Sequence, residues 1–340
     1  MRIFNYIVLT FMALALVFYI GSKSNPYQVL SGKVMGTYYN VKIKTDSENN
    51  LLNSEVKALL DGISGRFSVF DVNSELSKIN NNVSGEWMDL SPEMSEVMKK
   101  AYEVYVSSDG AFDPTVGKLV NLWGFGVSNV SKTPTDDEVA EALEYTGFNK
   151  VKFTKDYDKV LKTSPNIYIN LSAIAKGYVV DKAAELLENM GYENFIVEIG
   201  GEIRAKGKKS ADTDGWVVGV LKPLKEQTEA AFTVTISDMA VATSGDYRNY
   251  YYSNGDFLSH TIDTKTGYPV KNNISSVTVF DESCTKADAA ATAIMAMGHQ
   301  KGLAYANSKN LKVIIFVKDA EDNFSISVSA SGRKFLDANM

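Results

Sequence analysis

The stretch TKADAAATAIMAMG, residues 285–298, sets one carboxylate, Asp288, in a run of small and apolar residues. Two chemistries fit it. Thr285 and Asp288 have the Thr-x-x-Asp spacing of a capping box, in which each side chain satisfies an unpaired amide at a helix start. Thr292 stands one helical turn beyond Asp288, so on a helix a carboxylate and a hydroxyl share one face, and both are oxygen ligands suited to a hard cation. On these residues alone, cap and cation site both stay open.

His260, in ATSGDYRNYYYSNGDFLSHTIDTKTGYPV (residues 242–270), has polar neighbours and is followed by Asp263, Gly267 and Pro269, unlike a core histidine. An imidazole near neutral pH accepts a proton from an alcohol nucleophile; a solvated loop histidine is the competing reading. In NLSAIAKGYVVDKAA (170–184), Lys176 and Gly177 fall where a strand gives way to a helix, a place that holds anions. An exposed lysine without a ligand fits equally, and no G-x-G-x-x-G or Walker fingerprint accompanies it. The loop DGAFDPTVGKLVNLWGFG (109–126) crowds glycines, a proline and aromatics; Trp123 reads as a core anchor, and amides near Ala111 and Phe112 as able to line a ligand. The glycine pair in VEIGGEIRAKG (197–207) reads as a bulge or a close approach of strands.

The elements that must position these residues follow from pattern and punctuation. YQVLSGKVMGTYYNVKIKT alternates as two strands around Gly36, and LLNSEVKALLDGI reads as a helix. SVFDVNSELSKINNN is polar and reads as a loop. SPEMSEVMKKAYEVYVSSDG is a helix with Ser91 as cap, Pro92 at its first position and Gly110 beyond its end; TPTDDEVAEALEYTG repeats that grammar and closes at Gly147. The middle reads as strand NIYINLS, helix AIAKGYVVDKAAELLENMG stopped at Gly191, and strand NFIVEIGGEIRAKG. Residues 214–280 are strands and turns, the 285–298 helix follows, and LKVIIFVKD and FSISVSAS finish the chain as strands. Helices and strands fall partly in blocks, which makes the class α+β: one globular unit with a mixed, mostly antiparallel sheet and packed helices.

The 340 residues are 45% hydrophobic, enough for a large core. A net charge of −6 without a Lys/Arg stripe argues against nucleic acid as a partner. Cys284 is the sole cysteine, which excludes an internal disulfide and a cysteine-based zinc site; it reads as buried and inert. His260 and His299 are the only histidines. At the N-terminus a positive start at Arg2 precedes an uncharged run from Ile3 to Ile20, so residues 1–24 read as a signal peptide or membrane anchor ahead of a domain at 25–340. The run is at the short edge of the ~20 residues that span a bilayer, and it lacks a small-x-small cleavage site, which favours an uncleaved anchor. The positive-inside rule then puts the rest of the chain on the extracytoplasmic side of the inner membrane, and no cysteine follows the run to carry a lipoprotein anchor.

In this order, VMGTYYNV, FSVFDVNSELSKIN, GAFDPTVGKLVNLWGFG, NLSAIAKGYVVDKAAELL, VEIGGEIRAKG, ATSGDYRNYY, SHTIDTKTGYPV and SVTVFDESCTKADAAATAIMAMG resemble the ApbE family of FAD:protein FMN transferases, over about residues 33–317. Each piece is modest; the ordered set is specific. The resemblance implies a magnesium-requiring enzyme that cuts FAD, joins its FMN half through a phosphoester to a threonine of a target flavoprotein, and releases AMP. It implies a flavin site of Met35, Phe70, Ala111, Phe112, Asp113, Asn170, Lys176 and Ile262. The metal ligands it implies are the side chains of Asp288 and Thr292 with the backbone carbonyl of Ala173, and His260 falls at the family's essential histidine. The acceptor it implies is an exported or membrane redox flavoprotein. Phe70 stands where the family commonly has tyrosine, keeping the ring without the hydroxyl, and Asn170 replaces the usual aspartate, keeping a polar contact without its charge. An FAD pyrophosphatase giving FMN and AMP, and a non-catalytic flavin-binding protein, are the alternatives.

Overall fold

The computed structural model describes residues 27–127, 133–224, 229–246, 250–253, 255–319, 321 and 323–340. The expected anchor lies outside these, and among the described residues no helix is long and apolar enough to cross a membrane. The strands are β1 (Tyr27–Val34), β2 (Thr37–Lys44), β3 (Met88–Asp89), β4 (Val151–Phe153), β5 (Lys159–Lys162), β6 (Phe195–Ile199), β7 (Glu202–Lys206) and β8 (Trp216–Leu221). They continue with β9 (Ala230–Ile236), β10 (Met239–Gly245), β11 (Tyr250–Ser253), β12 (Asp256–Ser259), β13 (Ile274–Asp281), β14 (Lys312–Lys318) and β15 (Phe324–Val328). The helices are α1 (Leu52–Phe67), α2 (Glu75–Asn81), α3 (Pro92–Ser107), α4 (Gly117–Leu122) and α5 (Asp136–Leu143). After them come α6 (Ser172–Asn189), α7 (Cys284–Met297), α8 (His299–Ser308) and α9 (Ala330–Asn339).

The main sheet has the order β1-β2-β6-β7-β10-β13-β14-β15, and every neighbouring pair is antiparallel. The expected α+β class holds. Burial on both faces explains the near-continuous apolar run of β14. Its Val313, Ile315 and Val317 pack with Ala287, Ala291 and Ile294 of α7, while Ile314 and Phe316 point the other way, into a cluster with the β8–β9 hairpin and Leu336 of α9. A third cluster joins Val41, Ile43 and Val197 to α1, α3 and α6. The helix layer on one face of the sheet therefore holds α6 against α7.

Local signals set most boundaries. Ser91 accepts from the Met94 amide at the start of α3, with Pro92 at the first position. Thr135 and Glu138 form a reciprocal capping box at the start of α5, which ends at Leu143, short of Gly147.

Four expectations need correction. The polar stretch 68–82 contains α2, capped by Ser74 and anchored by buried Leu76 and Ile79; seven residues are too few to show a helical period. NIYINLS makes only an isolated bridge, Tyr168 to Val116. Its alternation is real, since Ile167, Ile169 and Leu171 are buried, but the backbone is satisfied by the Asn80 side chain, which bonds both the amide and the carbonyl of Ile169, rather than by a ladder. Gly200 and Gly201, both at positive φ (62° and 105°), form the turn of the β6–β7 hairpin rather than a bulge, while the expected close approach is present, since a Cβ on Gly200 would collide with Thr37 of β2. The chain ends in α9, whose cap Ser329 accepts from the Gly332 amide.

Candidate active site

Helices α6 and α7 cross at Gly177. A Cβ there would fall 2.3 Å from the Cys284 carbonyl oxygen and 2.9 Å from the Asp288 Cβ, so only glycine allows this approach. The approach lets the Gly177 amide donate to Asp288 Oδ2 at 3.0 Å. Asp288 does not cap its own helix, which corrects the capping-box reading. Ser283 is the N-cap, accepting from the Lys286 amide. The next amides, Cys284 and Thr285, donate to Asp181 of α6 at 2.9 and 3.0 Å, and the Thr285 hydroxyl donates to it at 2.6 Å. Arg204 pairs with the same carboxylate at 3.1 Å. With the helix start already satisfied, Asp288 serves another purpose.

Asp288 is only 4% exposed, yet it borders a cleft of about 420 Å³. The cleft is also lined by Phe70, Ala111, Phe112, Asp113, Asn170, Ala173, Lys176, His260, Ile262 and Thr292. Of the residues expected at the site, Met35 alone is absent from this lining; it sits at φ 51° in the β1–β2 turn. Phe70 is 76% exposed at the rim, its ring available for stacking. Asn170 Oδ1 accepts from the Ser172 amide at 2.9 Å, supporting the start of α6.

The segment 111–113 lines the cleft in a different way from the one expected. The amides of Ala111 and Phe112 both donate to Ser108, to its carbonyl and its hydroxyl, so they are not available to a ligand. Asp113 is turned inward: Oδ1 accepts from the Thr115 amide and hydroxyl, and Oδ2 from the Phe148 amide. Burial pushes its pKa up to about 6 against those three bonds. Asp113 thus fixes the shape of the loop.

Lys176, in the second turn of α6, pairs with Glu202 at 2.6 Å. Glu202 opens β7 directly after the glycine turn, is 1% exposed, and its Oε2 has no hydrogen-bond partner among the described residues. Burial and the nearby Asp288 charge push the Glu202 pKa up to about 7, opposed by Lys176. Burial likewise raises Asp288, opposed by Lys176 and the Gly177 amide. Burial disfavours the Lys176 ammonium, but Asp288 and Glu202 outweigh it and hold its pKa above the ordinary value. Two buried acids thus face one lysine, an excess of negative charge that a cation relieves.

The wall carries oxygen ligands: the Asp288 carboxylate and the Thr292 hydroxyl, which lies 3.2 Å from the Ser244 hydroxyl; Ala173, whose carbonyl was expected to join them, lines the same cleft. The Gly177 amide stands four residues beyond Ala173, so its bond to Asp288 competes with the usual helical bond to that carbonyl. A hard cation that keeps several waters and takes one or two carboxylates fits these donors. Among the described residues no group of three or more His, Cys, Asp or Glu could hold a metal. His260 follows β12 directly, half-buried, and its ring meets Phe125 edge-on at 6.3 Å. Trp123 is the core anchor expected of it, donating from Nε1 to the Gly267 carbonyl at 2.8 Å.

The sequence profile described as the ApbE family matches residues 35–315. The chain belongs to the ApbE family. It is 40% identical over 311 residues to the FAD:protein FMN transferase of Vibrio cholerae, covering 90% of this chain and 92% of that one. The enzyme of the same name from Haemophilus influenzae is 36% identical, with 96% of each chain covered. The solved structure of the flavin transferase ApbE from Vibrio cholerae superposes with a TM-score of 0.83 at 38% identity, over 91% of this chain and 99% of that one.

Among the polar cleft residues of this ApbE-family chain that the sequence did not single out are Glu202 and Ser244. A signal existed for Glu202, an acid at the inward-facing first position of a strand. Ser244 had none, since it comes into reach of Thr292 only through the packing of β10 beneath α7.

Proposed function

We propose that this chain transfers the FMN moiety of FAD to a threonine hydroxyl of a target flavoprotein. The observation that carries the reading is the placing of Asp288, which leaves its own helix start to others and joins Thr292, Ala173, Lys176 and His260 around one cleft. In the reaction the threonine oxygen attacks the FMN-side phosphorus of the diphosphate, forming a phosphoester. The bond from that phosphorus to the bridging oxygen breaks, and AMP leaves with the electron pair. His260 takes the hydroxyl proton as the oxygen attacks. Lys176 offers a positive charge to the diphosphate, and Glu202 holds that ammonium in place. Phe70 stacks on the flavin ring from the rim, with Phe112 and Ile262 behind it. Met35, in the β1–β2 turn, is the residue of the expected flavin site that does not line the cleft.

Magnesium fits the donors of Asp288, Thr292 and the Ala173 carbonyl, and when bound it neutralises charge on the diphosphate and the leaving group. Asn170 contributes a neutral contact. The N-terminal residues tether the domain to the inner membrane, with the cleft on the extracytoplasmic side where redox flavoproteins of that membrane meet it. Incubation with FAD, magnesium and a threonine-bearing acceptor tests the reading through flavin fluorescence that survives denaturing electrophoresis. Covalent label on the acceptor supports transfer. Free FMN and AMP without label indicate a hydrolase, and unchanged FAD a carrier.

A further inference from the structure

Ser244 is a cleft residue that the reaction as described does not use. It stands near the end of β10, on the same face as Ala242 and directly opposite Val277 of β13. Ala242 and Val277 both pack in the cluster that seats α7 on the sheet, so Ser244 is turned toward that helix, and its hydroxyl lies 3.2 Å from that of Thr292. Both residues are half-buried and both line the cleft. Two hydroxyls that satisfy each other are ordinary in a sheet: the adjacent Thr243 pairs in this way with Thr278, directly opposite it, at 2.9 Å. The Ser244 bond differs in its partner. Thr292 lies one helical turn from Asp288, the carboxylate that leaves its own helix start to others.

A threonine hydroxyl carries one proton and two lone pairs. To present its oxygen to a cation, Thr292 must send the proton elsewhere. Inside a helix the usual acceptor is the backbone carbonyl four residues back, here that of Asp288, and such a bond lays the hydroxyl along its own helix. The Ser244 oxygen offers an acceptor on a different element. With the proton spent on that bond, both Thr292 lone pairs are left for the cleft. Asp288 is fixed in the same manner, through the Gly177 amide on Oδ2 at 3.0 Å. Each of the two side-chain ligands thus has one partner from another element, which is how neighbouring groups orient the ligands of a metal.

We propose that Ser244 is a positioning residue for the cation: its hydroxyl accepts the Thr292 proton and so aims the Thr292 oxygen at the ion. This rests on the cation site read above, and Ser244 is not itself a ligand.

The test uses the full chain with Mn2+ as the probe ion, binding being read from the loss of the free-ion electron paramagnetic resonance signal, with and without FAD. Magnesium chloride is then titrated in as competitor. Ser244→Val and Ser244→Thr share a shape and differ in the hydroxyl; Ser244→Ala adds no bulk. The expected result is a dissociation constant for both ions raised about tenfold or more in Ser244→Val and Ser244→Ala, and within about threefold of wild type in Ser244→Thr. The magnesium concentration that gives half-maximal labelling of an acceptor rises by the same factor. In a Thr292→Val background, Ser244→Val lowers ion affinity no further, because the pair acts as one unit. Ser244→Val and Ser244→Ala chains that bind both ions as the wild type does overturn the proposal. So do equal losses in Ser244→Val and Ser244→Thr, which trace the effect to shape, and losses that add in the double variant, which separate Ser244 from Thr292. Wild-type protein that binds no Mn2+ with or without FAD overturns the cation reading, and the role of Ser244 with it.

Discussion

Replacing Asp288 with asparagine separates the two roles that its sequence context allowed. Asparagine keeps a side-chain oxygen to accept from the Gly177 amide, which lies 3.0 Å from Oδ2. At most about one net hydrogen bond, roughly 1 kcal/mol, is then at stake for folding. The charge that is removed is a buried one: burial raises the Asp288 pKa above its ordinary value, so the folded state holds a proton more readily than the unfolded state. Between the ordinary and the raised value the native state binds more protons, and stability conferred by this residue falls as pH rises through that window. Asp288→Asn abolishes that fall, so its melting temperature is expected within about 4 °C of wild type at low pH and to gain on it as pH rises. Transfer is expected to drop about 10²- to 10³-fold, the scale of losing one group that stabilises charge in the transition state. The assays are scanning calorimetry across pH and covalent FMN labelling at saturating magnesium. A variant that folds and labels at the wild-type rate refutes the functional assignment, and one that unfolds at moderate temperature shows the carboxylate to be structural.

Asp181→Ala is expected to do the opposite. It strips the Cys284 and Thr285 amides of their acceptor and leaves Arg204 without that partner, costing about 3–5 kcal/mol by denaturant titration. Gly177→Ala, which in an ordinary helix gains about 1 kcal/mol, is expected to lose stability and FAD affinity together, because its methyl would meet the Cys284 carbonyl oxygen; an unchanged melting temperature contradicts the crossing geometry. Wild-type stability is expected to fall between about pH 4 and 6, since Asp113 and Asp246 are both raised by burial to about 6 and a raised carboxyl favours the fold only while protonated. Asp113 alone accounts for about 3 kcal/mol at most, and a flat denaturation profile over that window counts against its burial.

Much of this was legible before any coordinates. Ser91–Pro92 announced its helix because caps are local chemistry, and LKVIIFVKD announced a strand; TPTDDEVAEALEYTG announced a helix, but its cap is Thr135, two residues beyond the Thr133–Pro134 that the Ser91–Pro92 grammar points to. Asp288 and Thr292 did share a face, since helical spacing alone decides that. What sequence could not say was who caps α7. Thr285 fitted the pattern, but the N-cap is Ser283 two residues earlier, and the Cys284 and Thr285 amides go to Asp181, which lies 104 residues from Thr285 and reaches the helix start through tertiary packing. The same limit explains NIYINLS, whose alternation is burial without a ladder, and Asp113, which lines the cleft while its carboxylate is held by Thr115 and Phe148. Glu202 was hidden behind the glycine pair, which drew attention to the backbone rather than to the acid beside it.

The most direct measurement is mass spectrometry of a threonine-bearing acceptor after incubation with the full chain, FAD and magnesium, compared with Asp288→Asn and with a chelator present. The account predicts an acceptor heavier by FMN less one water, modified at a single threonine, with AMP released in equal amount and the adduct absent from the variant and the chelated sample. An acceptor of unchanged mass beside intact FAD, or an adduct formed equally well without the Asp288 carboxylate, contradicts it.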